Sequence, residues 1–467
     1  MSEAFPTNSA AKWFRLETVK QSGWAFWLAT ALLFVFSLPH AMALRNVLLL
    51  VLLLLVASRL WGLRRISTQV DVRTALIALS MLMVWMLYVS VFVAPDPAAS
   101  LRSFLGEWAR ALVVLMVGAG VALAVRDKQP DKLSMLIVSL IFFVGLLHMI
   151  GHDLAVLVSW IETGRFPRRF SGITDHRANV TFVLAMMLSA IGADVCSRYA
   201  FGRALLPGGT LWGGVAAALG LFALITASTT NGWIVSLFLV VTIFIVAIWL
   251  GVRTARRKSS KRITMAMGAS AVIFVILGVL AVGNDPRYEG FQESVAIGWD
   301  TEGHRNWLND FEMRDWPVRA NGEPVDPSTY TRVAWAKEGA KLLSEHPWGT
   351  EIHKYTFARL ISEKYDVKFG SHSHIGLIDF GLNVGIPGIV LWLIFLAALA
   401  WLGWSVTRHC DDAVGMCLFF LVVAFSARMM IDSILRDHML EQFMFCVGML
   451  MVACASSRQQ RETLGVR

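Results

Sequence analysis

A chain of 467 residues with 56% hydrophobic residues, 16% charged residues and a mean hydropathy of +0.59 is not a soluble globular protein, since such proteins carry about a quarter charged residues. Apolar runs of about 20 residues recur from end to end without polar–apolar alternation, which excludes a β-barrel and predicts an all-α polytopic membrane protein. The net charge of +9 does not require a nucleic-acid partner, because its distribution follows membrane topology.

Residues 1–21 are polar and mixed in charge and lead straight into an apolar run with no small-residue cleavage site. The first span therefore reads as a retained helix and not as a signal peptide. Candidate spans follow at 23–38, 44–62, 74–93, 108–125, 133–151, 179–197, 211–229, 232–251, 263–283, 375–405, 414–434 and 440–456, about twelve transmembrane helices in all. The first two are short and separated by Pro39-His40, so they also read as one broken hairpin. Arg59, Arg64, Arg65 and Arg73 fall between spans two and three, and Arg126, Lys128 and Lys132 between four and five. Arg198 and Arg203 follow span six, Arg253 to Arg262 separate eight from nine, Arg408 precedes span eleven, and Arg458, Arg461 and Arg467 end the chain. All of these lie on one side if the N- and C-termini are both cytoplasmic, which satisfies the positive-inside rule. The dense Arg253–Arg262 cluster then needs no ligand beyond membrane lipid headgroups.

The opposite side carries Ala94–Glu107, Asp153–Ala178, the short Leu435–Glu441 loop and a segment of nearly ninety residues from Asn284 to Ser371. A connection that long is usually functional. The chain accordingly divides into helices one to nine over 1–283, a large periplasmic loop domain over 284–373 between helices nine and ten, and helices ten to twelve with the cytoplasmic tail over 374–467. Within the loop domain, Ser328-Thr-Tyr-Thr leads into an amphipathic helix from Arg332. It stops at His346-Pro347, with Trp348-Gly349 as the following turn. Cys196, Cys410, Cys417, Cys446 and Cys454 fall in spans or on the inner side, so no disulfide framework is implied.

The ionisable residues on the outer side form three groups. Arg165, Arg168, Arg169 and Arg177 cluster before span six; Arg332 stands with Lys337 and Lys341; and Gly370-Ser371-His372-Ser373-His374 closes the polar segment where span ten begins. Ionisable groups at a membrane edge are expensive to keep and mark function by default. For the histidines the competing role is to satisfy a helix N-terminus, and for any single arginine it is to anchor at the interface. Clustered guanidinium groups suit a pyrophosphate, which they pair bidentately while staying charged in any environment. Arg428 and Asp432 add a pair inside span eleven, where an ion pair comes before ligand contact as their role. A histidine beside such arginines can accept a proton from an attacking hydroxyl near neutral pH. No Asp-x-Asp pair occurs in the outer loops and no third ligand accompanies His372-x-His374, so neither a metal nor another cofactor is expected.

From about Arg168 to about Pro387 the chain resembles the bacterial O-antigen ligases, within the ligase and polymerase superfamily. The resemblance rests on Arg169-Phe-Ser-Gly172 with Asn179 at the start of a span, on Arg332-Val-Ala-Trp335 and His346-Pro347-Trp348-Gly349, and on His374 ahead of Gly385-Ile-Pro-Gly388. Ile375 stands where an Asn is common, and His372 competes with His374 for the same role. Where many members carry Ser-Arg-Gly, this chain reads Ser228-Thr-Thr-Asn231-Gly232, which leaves that arginine's task to Arg168 or Arg428. The resemblance implies a metal-independent glycosyltransferase of the membrane-embedded GT-C type. It implies transfer of a glycan from undecaprenyl pyrophosphate, the O-antigen donor, to the lipid A–core oligosaccharide at the periplasmic face of the bacterial inner membrane. His374 or His372 would be the base, and Arg169 and Arg332 would hold the pyrophosphate. An O-antigen polymerase and a protein-directed oligosaccharyltransferase share these motifs. A secondary transporter would show internal repeats, which the two halves lack.

Overall fold

The computed structural model describes residues 23–66, 68–253, 276, 290–309, 316–435 and 437–463. These residues are overwhelmingly helical, and the bridge between Val318 and Pro324 is the one β-pairing among them. The membrane bundle comprises α1 (Trp24–Val35), α2 (Met42–Val56), α3 (Val70–Tyr88), α4 (Pro97–Phe104), α5 (Arg110–Lys128), α6 (Leu133–Thr163), α7 (Arg177–Cys196), α8 (Gly209–Ala227) and α9 (Thr230–Arg253). After α10 (Phe291–Trp299), α11 (Pro327–Glu345) and α12 (Thr356–Tyr365), it is completed by α13 (Gly376–Cys410), α14 (Val414–Met429) and α15 (Asp437–Thr463). Among the described residues eight helices are long and apolar enough to cross a membrane, and three shorter apolar ones accompany them. The chain is thus an all-α integral membrane protein. The expected span 263–283 lies, but for Ile276, outside the described residues.

Two stretches expected as loops are helical. Asp96 caps α4 by accepting from the Ala99 N–H at 3.0 Å, with Pro97 in the first turn. One π-helical turn at Leu105–Ala109 then carries α4 into α5 without a break. Arg102 and Glu107 had lowered the hydropathy there enough to suggest a loop. Likewise α6 does not stop near residue 151 but continues to Thr163, where Gly164 terminates it in a left-handed conformation (φ 66°). At 31 residues it is about 46 Å long, well beyond a hydrocarbon core of about 30 Å. Asp153 is therefore a helical residue.

Lipid tails supply no hydrophobic drive between helices, so close backbone approach becomes the main source of attraction. α5 and α15 meet in this way: a Cβ on Gly118 would stand 2.2 Å from the Phe445 carbonyl oxygen, and one on Gly448 would stand 2.1 Å from that of Leu115.

Residues 290–309 and 316–369 gather round a second apolar cluster that includes Trp307, Tyr330, Trp335, Phe357 and Phe369 and draws in Leu382 of α13. Asp326, just ahead of the Ser328-Thr-Tyr-Thr stretch expected to lead into the helix, starts α11 by accepting from the Thr329 N–H at 2.8 Å, and Pro327 fills the first position. The fully buried Glu338 accepts from the Thr301 hydroxyl and the Tyr365 hydroxyl, both at 2.8 Å. Burial, and then the hydrogen bond to Glu338, raise the Tyr365 pKa. Burial pushes Tyr330 up to about 12, so it remains a donor to the His304 carbonyl (2.8 Å) at any physiological pH.

The two bodies interlock at a break in α13. Gly385 has φ 67° and ψ −176°, which interrupts the helix, and Pro387 follows it. The groups released there find partners. The Leu382 carbonyl accepts the Thr350 N–H (3.0 Å) and hydroxyl (2.9 Å), the Ile386 N–H donates to the Pro347 carbonyl (2.8 Å), and the Val384 carbonyl takes Trp85 Nε1 (2.6 Å). The turn expected at Trp348-Gly349 thus fills the gap in the helix, with Gly349 at φ 85°. A Cβ on Gly385 would lie 2.3 Å from the Trp348 carbonyl carbon and 2.4 Å from the Gly349 nitrogen. Gly385→Ala should therefore cost about 2 kcal/mol or more and lower the thermal midpoint of the detergent-purified protein. Gly213→Ala, where a Cβ meets open space inside α8, should be neutral or slightly stabilising. Equal midpoints for the two variants would show that the interlock contributes nothing.

Candidate active site

The histidine loop is shaped by groups on either side of it. Ser373 is fully buried between the two histidines; its N–H donates to Asp379 Oδ1 (2.9 Å) and its hydroxyl donates to the Ile375 carbonyl (3.0 Å). Fixing Ser373 turns His372 and His374 to one side, with ring centroids 4.0 Å apart. His374 takes a left-handed backbone (φ 58°), an uncommon conformation for a residue other than glycine. Its ring lies on the indole of Trp335, centroids 5.4 Å apart and planes 13° from parallel. Trp335 follows Arg332 by one helical turn of α11, so the helix that seats the histidine also presents the arginine.

Arg332 Nη1 donates to Asn231 Oδ1 at 3.1 Å, and Asn231 Nδ2 donates to the Ile431 carbonyl at 2.8 Å. The turn after α14 therefore receives Asn231. It also receives the histidine loop, because the Gly376 N–H donates to the Asp432 carbonyl (3.1 Å) and the Ser433 hydroxyl donates to Asp379 Oδ2. Arg428, at 1% exposure, sits beneath this turn. It pairs with Asp432 (3.2 Å) and donates to the Thr181 hydroxyl (2.9 Å) and the Ala178 carbonyl (2.7 Å) at the start of α7. The Arg428–Asp432 ion pair anticipated from sequence is present, and the guanidinium is directed into the protein.

Arg168 and Arg169 lie on the loop that leads into α7. Both are exposed, and among the described residues neither makes a hydrogen bond or ion pair. Arg169 is in the left-handed region (φ 58°). The loop beneath is well anchored: the Phe170 N–H donates to the Thr226 carbonyl (3.1 Å), while His152 Nε2 bonds the Thr226 hydroxyl (2.8 Å). Thr226 is five residues before Asn231, so the arginine loop and the Arg332 contact are fastened to the same short junction of α8 and α9. Asn179, buried next to this loop, has no partner for either amide atom among the described residues.

The structure thus brings together His372, His374 and Arg332, places Arg428 behind them and tethers Arg168 and Arg169 to an adjoining junction. Asn231, Asp379 and Ser433 complete the network and were not singled out from sequence. Asp379 had a signal, as an acidic residue in the first turn of an apolar helix. Asn231 had one too, since it lies in the Ser228–Gly232 stretch where the resemblance leads one to expect an arginine, and here an arginine from α11 reaches it.

A test of the buried pair follows from these contacts. Arg428→Ala removes the ion pair to Asp432 and the hydrogen bonds to Thr181 and Ala178, a loss of about 3–5 kcal/mol, and should lower the thermal midpoint and the folded yield. Arg169→Ala, at an exposed site, should leave both at wild-type values. A stable, well-expressed Arg428→Ala protein would show that the pair carries no structural weight.

No curated protein matches the chain. Residues 215–393 match the family model described as O-antigen ligase, a stretch that holds Asn231, Arg332, Trp335, both loop histidines and the Gly385 break. Over that stretch, and with a membrane bundle of the kind described, the chain is similar to the O-antigen ligase and polymerase family.

Proposed function

We propose that this protein ligates O-antigen glycan from undecaprenyl pyrophosphate onto the lipid A–core oligosaccharide at the periplasmic face of the bacterial inner membrane. The observation that carries the reading is the seating of His374 against Trp335, with Arg332 one turn away on the same helix. In this reading His374 takes the proton of the acceptor hydroxyl as its oxygen attacks the anomeric carbon, and His372 supports it from 4.0 Å. The bond to the pyrophosphate breaks in the same step, and the departing diphosphate is held by Arg332 and by Arg169, supported by Arg168. Arg428 contributes by fixing the turn that carries Asp432. A sugar on a pyrophosphate is already activated, so positioning and charge stabilisation are what the enzyme must add. The positive-inside pattern of the loops supports cytoplasmic termini and a site on the far side.

Three measurements test this. His374→Ala should abolish transfer while inserting and expressing normally; full activity with both His374→Ala and His372→Ala would remove the general-base role. Activity of the purified protein with lipid-linked donor should survive excess EDTA, since guanidinium groups neutralise the leaving diphosphate; a rate that collapses and returns with Mg²⁺ would contradict it. Arg169→Lys and Arg332→Lys keep the charge but lose the bidentate fork, and each should reduce in-cell ligation at least about tenfold, whereas interfacial anchors would tolerate lysine. The lipopolysaccharide of a deletion strain separates ligation from polymerisation: loss of the ladder with accumulated lipid-linked long chains supports ligation, and core bearing a single repeat supports polymerisation.

A further inference from the structure

A cavity of about 580 Å³ opens between α4 of the bundle and α12 of the loop domain, lined by Asp96, Glu351, His353, Tyr355, Arg359 and the Phe369-Gly370 pair. Its walls are fixed. The Ile352 N–H donates to the Ser100 hydroxyl of α4 at 2.8 Å, which pins the Glu351–His353 strip to the membrane body. Buried Glu351 accepts from Arg359 Nε at 2.6 Å, and the other side of the guanidinium is taken by Glu363 at 2.7 and 2.9 Å. The Tyr355 N–H donates to His353 Nδ1 at 3.3 Å. That nitrogen is thus an acceptor, which leaves Nε2 to donate. Tyr355 remains 45% exposed.

The charge balance selects the occupant. Among the lining residues Asp96 and Glu351 outnumber Arg359, whose fork is already engaged by two carboxylates, and Lys354 is drawn to one face of Tyr355 at 4.9 Å, so no unengaged guanidinium fork is offered to a phosphate. An uncharged polyhydroxyl ligand meets acceptors in the carboxylates, donors in the guanidinium and imidazole, and an aromatic face in Tyr355 for its C–H surface. The floor leads to the histidines by two routes. Phe369 packs edge-on against Trp335 (5.8 Å), which stacks on His374. Along the chain, Gly370 is two residues from His372, at most about 7 Å of extended backbone. We infer that this cavity is the acceptor subsite, holding the uncharged sugar next to the one whose hydroxyl is presented to His372 and His374. The inference rests on the transferase reading above and identifies where the acceptor glycan binds.

The test uses the whole protein in cells that make core-complete lipopolysaccharide but no O-antigen, so that binding is read without turnover. p-Benzoylphenylalanine at position 355 should yield, on irradiation, a protein band carrying core oligosaccharide. The same label at Val318, exposed on the loop domain outside the cavity, should yield none. In a purified assay with that lipopolysaccharide as acceptor, Tyr355→Ala and His353→Ala should each raise the acceptor KM about tenfold, leaving kcat and the donor KM unchanged. Absence of a core-bearing band at 355, equal bands at both positions, or a fall in kcat without a change in acceptor KM would overturn the subsite. A crosslink at 355 in a protein that transfers nothing would overturn the transferase reading alone, and transfer without the crosslink would overturn the subsite alone.

Discussion

One buried guanidinium holds the rest of the site in register. Arg428 is removed from solvent with a single carboxylate partner, a costly placement unless further hydrogen bonds accompany the pair. Its donors go to Asp432 on the following turn and to Thr181 and Ala178 at the head of α7. The turn so fixed then receives Asn231 from the α8–α9 junction and Gly376 and Asp379 from α13. Three segments far apart in sequence are thereby brought to one place. The arginines and histidines that face outward need not be ordered by each other.

This arrangement divides labour between two kinds of cation. Arg428 is consumed by structure, whereas Arg168 and Arg169 remain exposed on a loop whose backbone is fastened from below by Thr226 and His152. Arg332 stands between the two, since Asn231 fixes one of its nitrogens while the residue belongs to the helix that seats His374. A site that must meet a strongly anionic group benefits from this combination, because preorganised charge needs no reorganisation when the ligand arrives.

Much of this was legible in the chain. Apolar run length specified the helices, and the loop histidines, Arg332 and the Arg428–Asp432 pair all announced themselves as ionisable groups at a membrane edge. What escaped had physical reasons. Arg102 and Glu107 disguised the start of a continuous α4–α5 helix, because an 18–20-residue hydropathy window reads two charges as a loop. The helix expected from Arg332 starts at Pro327 with Asp326 as its cap, since proline fits the first helical position. Asn231, Asp379 and Ser433 could not be found by spacing, because their partners lie on other helices and their roles exist only once the turn after α14 is in place. The carboxylates and aromatic ring of the seam cavity were invisible for the same reason: Asp96 and Glu351 are 255 positions apart in the chain.

The break at Gly385 also constrains how the protein can be assembled. A spanning helix normally satisfies its backbone alone and can enter the bilayer as an independent unit. α13 does not do so, since the Leu382 carbonyl and the Ile386 N–H find partners in the Pro347–Thr350 turn. That turn precedes α13 in the chain and belongs to a body whose core includes Leu382. The upper half of α13 therefore reaches its final hydrogen bonding only together with the loop domain.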